Sequence, residues 1–122
     1  MTSRLALNYP DIQRLLQALD TRERRSLATR IVLWAAQQAG LDPDTMRALL
    51  ARNQPEPFEA LCAEHEEHYF ELAERGDDRH PVFFAKARAY SAAAFLVRGV
   101  WDEAVYESTF ATEHALLIDD FL

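Results

Sequence analysis

The sequence predicts an all-α single domain, a compact orthogonal or bundle-like packing of about six helices. Three observations predict it. Gly40, Gly76 and Gly99 each follow an apolar pattern of helical period, where a left-handed residue closes a helix. Pro10, Pro43 and Pro81 fall where a first helical turn would begin, and there a missing N–H does no harm. No stretch of four or more residues alternates apolar and polar as a half-buried strand does.

Helices are predicted at 10–19, 21–39, 43–53, 56–75, 80–98 and 101–119. Pro10 opens the first. Asp20, with Glu23 three residues on, has the offset of a capping box and opens the second, which Gly40 closes. Asp42 can cap the third at Pro43. The short connection 53–57 leads into the fourth, closed by Gly76. The fifth, PVFFAKARAYSAAAFLVR, is apolar or small on almost every side, which places it at the centre of the bundle. Its alanines allow close approach, while Phe83, Phe84, Tyr90, Phe95 and Leu96 supply bulk. Gly99 then turns the chain into the sixth, completing a C-terminal αα-hairpin.

The 122 residues, 49% hydrophobic and 27% charged, suit one domain over 1–122 with a core of its own. A single cysteine, Cys62, excludes an internal disulfide and is compatible with a reducing compartment. The start MTSRLALNYPDI has no apolar h-region, and the longest near-apolar run, 89–97, is far short of the roughly 20 residues of a membrane span. A cytoplasmic protein that does not enter membranes is expected. Twelve Arg against one Lys, with abundant Ala, suggests a GC-rich bacterial genome.

Charge is divided along the chain. Residues 1–52 carry eight Arg against five acids, and residues 53–122 carry five bases against fifteen acids, for a net charge of −7. Nine of those fifteen fall between 56 and 78, with Arg75 the only base among them. Such a block repels nucleic acid and anionic membrane and attracts a basic partner.

Projected at about 100° per residue, the helix at 56–75 puts Phe58, Leu61, Cys62, His65, Tyr69 and Leu72 on one broad apolar face. Glu56, Glu64, Glu67, Glu71 and Glu74 share another. Like charges three and four apart destabilise an isolated helix by a few tenths of a kcal/mol per pair, about 0.2–0.5, so something must compensate. Either the apolar face packs well, or the basic N-terminal half lies alongside through Arg22, Arg24, Arg25 or Arg30, or the surface is kept acidic for a basic partner. Phe70 projects away from the apolar face, between Glu66 and Glu74. An aromatic inside a polar rim has the character of an interface anchor, unless a neighbouring helix covers it. The candidate partner-binding residues are Glu64, Glu67, Phe70, Glu71 and Glu74.

His65-Glu66-Glu67-His68 resembles the zinc-protease HExxH but is one residue short, so its histidines stand at i, i+3 rather than i, i+4. No Glu sits three residues before a His, so the di-iron E-x-x-H is missing too. His65 reads as a satisfied core histidine and His68 as a solvated one. There is no G-x-S-x-G, P-loop or G-x-G-x-x-G. Cys62 has Glu59, Glu64 and Glu66 close in sequence, which raise a thiol pKa. No catalytic residue, metal ligand or cofactor is assigned. A small helical enzyme or metal-dependent protein using His65, His68 and nearby Glu is the alternative.

VLWAAQQAGLDPDTMRALLA, residues 32–51, matches a helix-turn-helix pattern, and a DNA-binding regulator is a second alternative. The front of its would-be recognition helix carries Asp42, Pro43 and Asp44, which would face a polyanion. RGVWDEAVYESTFA, residues 98–111, is similar to the turn and second helix of a tetratricopeptide repeat: Gly99 at the turn, Trp101 two on, and Ala104 and Ala111 at small packing positions, with Ala92 in the first helix. Arg88 and Ser91 stand where that family has Trp and Leu. No second copy lies 34 residues upstream. The resemblance implies a tightly packed αα-hairpin rather than a solenoid.

The expected function is non-catalytic protein binding, in the character of a small acidic inhibitor or adaptor such as a bacterial immunity- or antitoxin-like protein that neutralises a basic partner. The sequence leaves the partner's identity and the oligomeric state open.

Overall fold

The computed structural model describes residues 3–122. Its order is α1 (Arg4–Asn8), α2 (Pro10–Ala18), α3 (Thr21–Gln38), α4 (Pro43–Ala51), α5 (Glu56–Glu74), α6 (His80–Val97) and α7 (Trp101–Ser108), with a final 3₁₀ turn at Ile118–Phe121. The domain is all-helical, with no strand among the described residues. No helix among them is long and apolar enough to cross a membrane.

Local chemistry fixes most boundaries. Asp20 accepts from the Glu23 N–H at 2.8 Å to open α3, and Asp42 accepts from the Thr45 N–H at 2.9 Å to open α4. Pro10 and Pro43 are first helical residues, and Pro57 and Pro81 follow immediately after the first in α5 and α6. Gly99, at φ +78°, turns α6 into α7, with the Val100 N–H reaching back to the Phe95 carbonyl at 3.0 Å. The turn after α4 uses Asn53 instead, at φ +54°, a conformation that Asn tolerates better than other side chains.

Two boundaries depart from the sequence reading. The segment before Pro10 is helical: Ser3 caps α1 by accepting from the Ala6 N–H at 3.2 Å, and Leu5 is fully buried. The last helix ends at Ser108, not 119. Its final hydroxyls turn inward on their own backbone, Ser108 donating to the Ala104 carbonyl at 2.8 Å and Thr109 to the Tyr106 carbonyl at 2.6 Å. Such bonds offer the chain an alternative to continuing the helix. The remaining tail returns to α3, where Phe121 meets Trp34 edge-on at 5.7 Å and its carbonyl accepts from Arg30.

The core is built around α6, which packs against α3, α5 and α7. Ala87, Ala89, Ala92 and Ala93 are completely buried, so neighbouring backbones come close. Leu27, Ile31, Val32, Phe58, Met46 and Val105 fill the space between. The first two turns of α6 are more open than its all-round apolar character implies: Val82 and Phe84 are exposed. The shortness of α7 explains this. A hairpin partner of eight residues returns along only the C-terminal half of α6 and leaves the N-terminal half to α5 and the irregular tail.

A bulky residue at a fully buried alanine tests this placement. Ala93→Leu is expected to lower stability by about 1–3 kcal/mol through overpacking, read by urea unfolding. An unchanged midpoint would show α6 free of its neighbours on that side.

Candidate functional site

Helix α5 makes its principal tertiary contact with α6 alone, so the side facing away from α6 is open. Phe58 and Leu72 are buried, and Leu61, Cys62, His65 and Tyr69 are half-buried along the same face. The opposite side carries Glu64, Glu67, Glu71 and Glu74, all exposed. None of these four takes part in a salt bridge among the described residues, whereas Glu59 pairs with Arg98 and Glu66 with Arg88. Phe70 is 60% exposed, so no helix covers it, and its ring lies 5.2 Å from that of Tyr69.

The basic N-terminal half does not neutralise this face. Arg24 donates instead to the carbonyls of Leu16 at 2.7 Å and Leu19 at 3.0 Å, closing the end of α2. Arg30 is held by the Phe121 carbonyl. Arg22 and Arg25 are exposed and pair with no α5 carboxylate among the described residues.

The sequence reading missed the pairing that lies beside this surface. Glu107 of α7 is buried, with 7% of its side chain exposed, and is held by two arginines: Arg88 Nη1 at 3.1 Å and Arg4 Nη2 at 3.1 Å. Arg4 also pairs with Glu103, and its guanidinium lies 4.6 Å over the Tyr106 ring. Arg88 reaches Glu66 with its other terminal nitrogen and stands 5.7 Å from the Phe84 ring. Five charges from α1, α5, α6 and α7 therefore form one network. The signal was legible only as a rule: Arg88 lies in a helix of small and apolar residues, and a charge drawn inside such a helix must find partners.

Cys62 sits against this network. Its thiol donates to Glu66 at 3.3 Å, and Arg88 Nη2 approaches the sulfur at 3.8 Å. Burial and the Glu66 carboxylate push the thiol pKa up to about 12, with Arg88 opposing them only in part. Between α5 and α6, next to Cys62, runs a mainly apolar trough of about 310 Å³, floored by Ala63, Ser91, Ala94 and Phe95 and closed at one end by the Glu59–Arg98 pair.

The two histidines of the HEEH run face the α6 aromatics. His65 donates from Nδ1 to the Leu61 carbonyl at 2.8 Å, and its ring lies tilted against that of Tyr90, 5.2 Å away; His68 is exposed and lies 5.3 Å from Phe83. No group of three or more His, Cys, Asp or Glu able to hold a metal occurs among the described residues. At the front of α4, Asp42 is held below the usual carboxylate range by the Thr45 hydroxyl and N–H, and Asp44 pairs with Arg47 at 3.2 Å. That end of the helix-turn-helix corner keeps its negative charge. No protein-family model, curated protein or solved structure matches the chain.

Two measurements check these electrostatics. Arg88→Ala leaves the buried Glu107 with only the exposed Arg4, and is expected to cost about 3–5 kcal/mol; an Arg88→Met, Glu107→Leu double variant should recover much of that in urea unfolding. For Cys62 the folded pKa lies above the unfolded one, so the native state holds its proton more tightly. Stability is then full below about pH 9, the ordinary thiol value, and falls as pH rises toward 12. Cys62→Ala should flatten that alkaline decline, and native Cys62 should alkylate far more slowly at pH 8 than in denaturant.

Proposed function

We propose that the protein is a non-catalytic protein-binding domain, a small acidic inhibitor or adaptor of the immunity- or antitoxin-like kind, whose partner is basic. One observation carries the reading: Glu64, Glu67, Glu71 and Glu74 stand exposed on one face of α5 without a salt bridge among the described residues, beside an exposed Phe70. The helix bears their mutual repulsion although the chain has arginines to spare, since Arg22, Arg25 and Arg52 are exposed elsewhere. A negative field on an open face speeds encounter with a basic surface and disfavours acidic competitors. Phe70 supplies the apolar anchor that such a field lacks.

Capture from the native host, with mass-spectrometric identification, would name the partner, and the kinetics on that partner test the surface. Glu67→Lys with Glu71→Lys is expected to leave the melting temperature unchanged or slightly raised, because like-charge strain falls. Association should slow and lose part of its salt dependence. Phe70→Ala should instead speed dissociation, at a cost of about 2 kcal/mol if it is a hot spot. A charge-reversed variant that melts lower and binds as before would sink the reading.

A further inference from the structure

We propose that the trough between α5 and α6 is the docking groove for a basic amphipathic helix of the partner; the inference rests on the reading of α5 as a partner-binding surface. Along α5, Glu59, Ala63, Glu66 and Phe70 succeed one another at spacings of three and four, so they form a single row on the helix. The facing row of α6 is Arg98, Phe95, Ser91, Arg88 and Phe84, read antiparallel. The cross-pairs Glu59–Arg98 and Glu66–Arg88 fix the register of the two rows. Between those pairs the trough of about 310 Å³ opens over the small residues Ala63, Ser91 and Ala94, with the Phe95 ring as the bulky side chain lining it. Beyond the second pair lie Phe70 and Phe84, 60% and 37% exposed, both against the Tyr69 ring.

From Glu59 to Phe70 this groove runs roughly 16 Å, about three helical turns. An incoming helix would set one apolar side chain in the trough and another against Phe70 and Phe84, the i, i+7 pattern of helix-in-groove recognition. Charge selects its sign. The carboxylates inside the groove are already paired with Arg88 and Arg98, while Glu67 and Glu74 stand unpaired on the same outer margin as Phe70. The occupant therefore carries Lys or Arg flanking its apolar stripe on the α5 side.

The test uses a fluorescein-labelled Lys/Leu peptide of about three to four turns, with Leu at i, i+3, i+4 and i+7, and a scrambled isomer of identical charge. By anisotropy, the wild-type protein is expected to bind the amphipathic peptide about tenfold or more tightly over the isomer. Ala63→Gln, which puts uncharged bulk in the trough from an exposed position, should remove that preference, and Phe84→Ala should reduce it. Glu67→Lys with Glu71→Lys should weaken both peptides alike. Equal binding of the two peptides, or a preference that survives Ala63→Gln, overturns the groove and leaves the acidic surface standing if the charge reversals still act. Failure of both peptides to bind overturns both. A wild-type dimer in sedimentation that Ala63→Gln converts to monomer would assign the groove to a second copy and also overturn the proposal.

Discussion

The buried carboxylate of Glu107 is the constraint to which much of the arrangement answers. A charge with 7% of its side chain exposed loses most of its hydration and is tolerable only if fixed cations replace the water. Arg88 comes from α6 and Arg4 from α1, so satisfying Glu107 ties the N-terminus of the chain to its last long-range hairpin. Arg88 then spans to Glu66, which brings α5 into the same network. Apolar packing alone would let α5 slide along the small-residue surface of α6. A guanidinium shared between Glu66 and Glu107 allows one register.

That register sorts the acids of α5 by function in the fold. Glu59 and Glu66 point along the α6 seam and are consumed by Arg98 and Arg88. Glu64, Glu67, Glu71 and Glu74 are rotated away from it and have no counter-charge among the described residues. Of the arginines on α3, Arg24 is committed to the end of α2 and Arg30 to the tail beyond α7, while Arg22 and Arg25 stand exposed and pair with no α5 carboxylate among the described residues. The bound arginines of the first half serve other partners, Arg4 the carboxylates of Glu103 and Glu107, Arg14 that of Asp11 and Arg47 that of Asp44, so the four outward glutamates of α5 are left to shape the outer field.

The legible parts of this molecule were the local ones. Asp20, Asp42, Gly99 and the prolines act on residues within a turn of themselves, so their chemistry can be read without knowing the fold. The outward rotation of Phe70 and the four glutamates followed from helical geometry in the same way, while the exposure of Phe70 depended on whether another helix covers it, and none does. What stayed hidden depends on distant partners. Arg4 meets Glu103 and Glu107 about a hundred residues away, and nothing near it in sequence announces the meeting. The end of the last helix at Ser108 was visible in principle, since Ser108 and Thr109 compete for their own carbonyls, but the apolar and aromatic residues that follow mimic a continuing helical face.

The short last helix and the open groove share one cause. Had α7 continued to 119, it would have covered the N-terminal half of α6, where Val82 and Phe84 now stand exposed. The tail instead turns away to pack the half-buried Phe121 edge-on against Trp34 on α3. Arg88 pairs with both Glu66 and Glu107 and gives the seam beside it a polar edge. Small residues at Ala63, Ser91 and Ala94 then lower the floor between the two ion pairs. A rigid seam, an uncovered aromatic end and an unpaired acidic margin lie side by side because the same few charges fix all three.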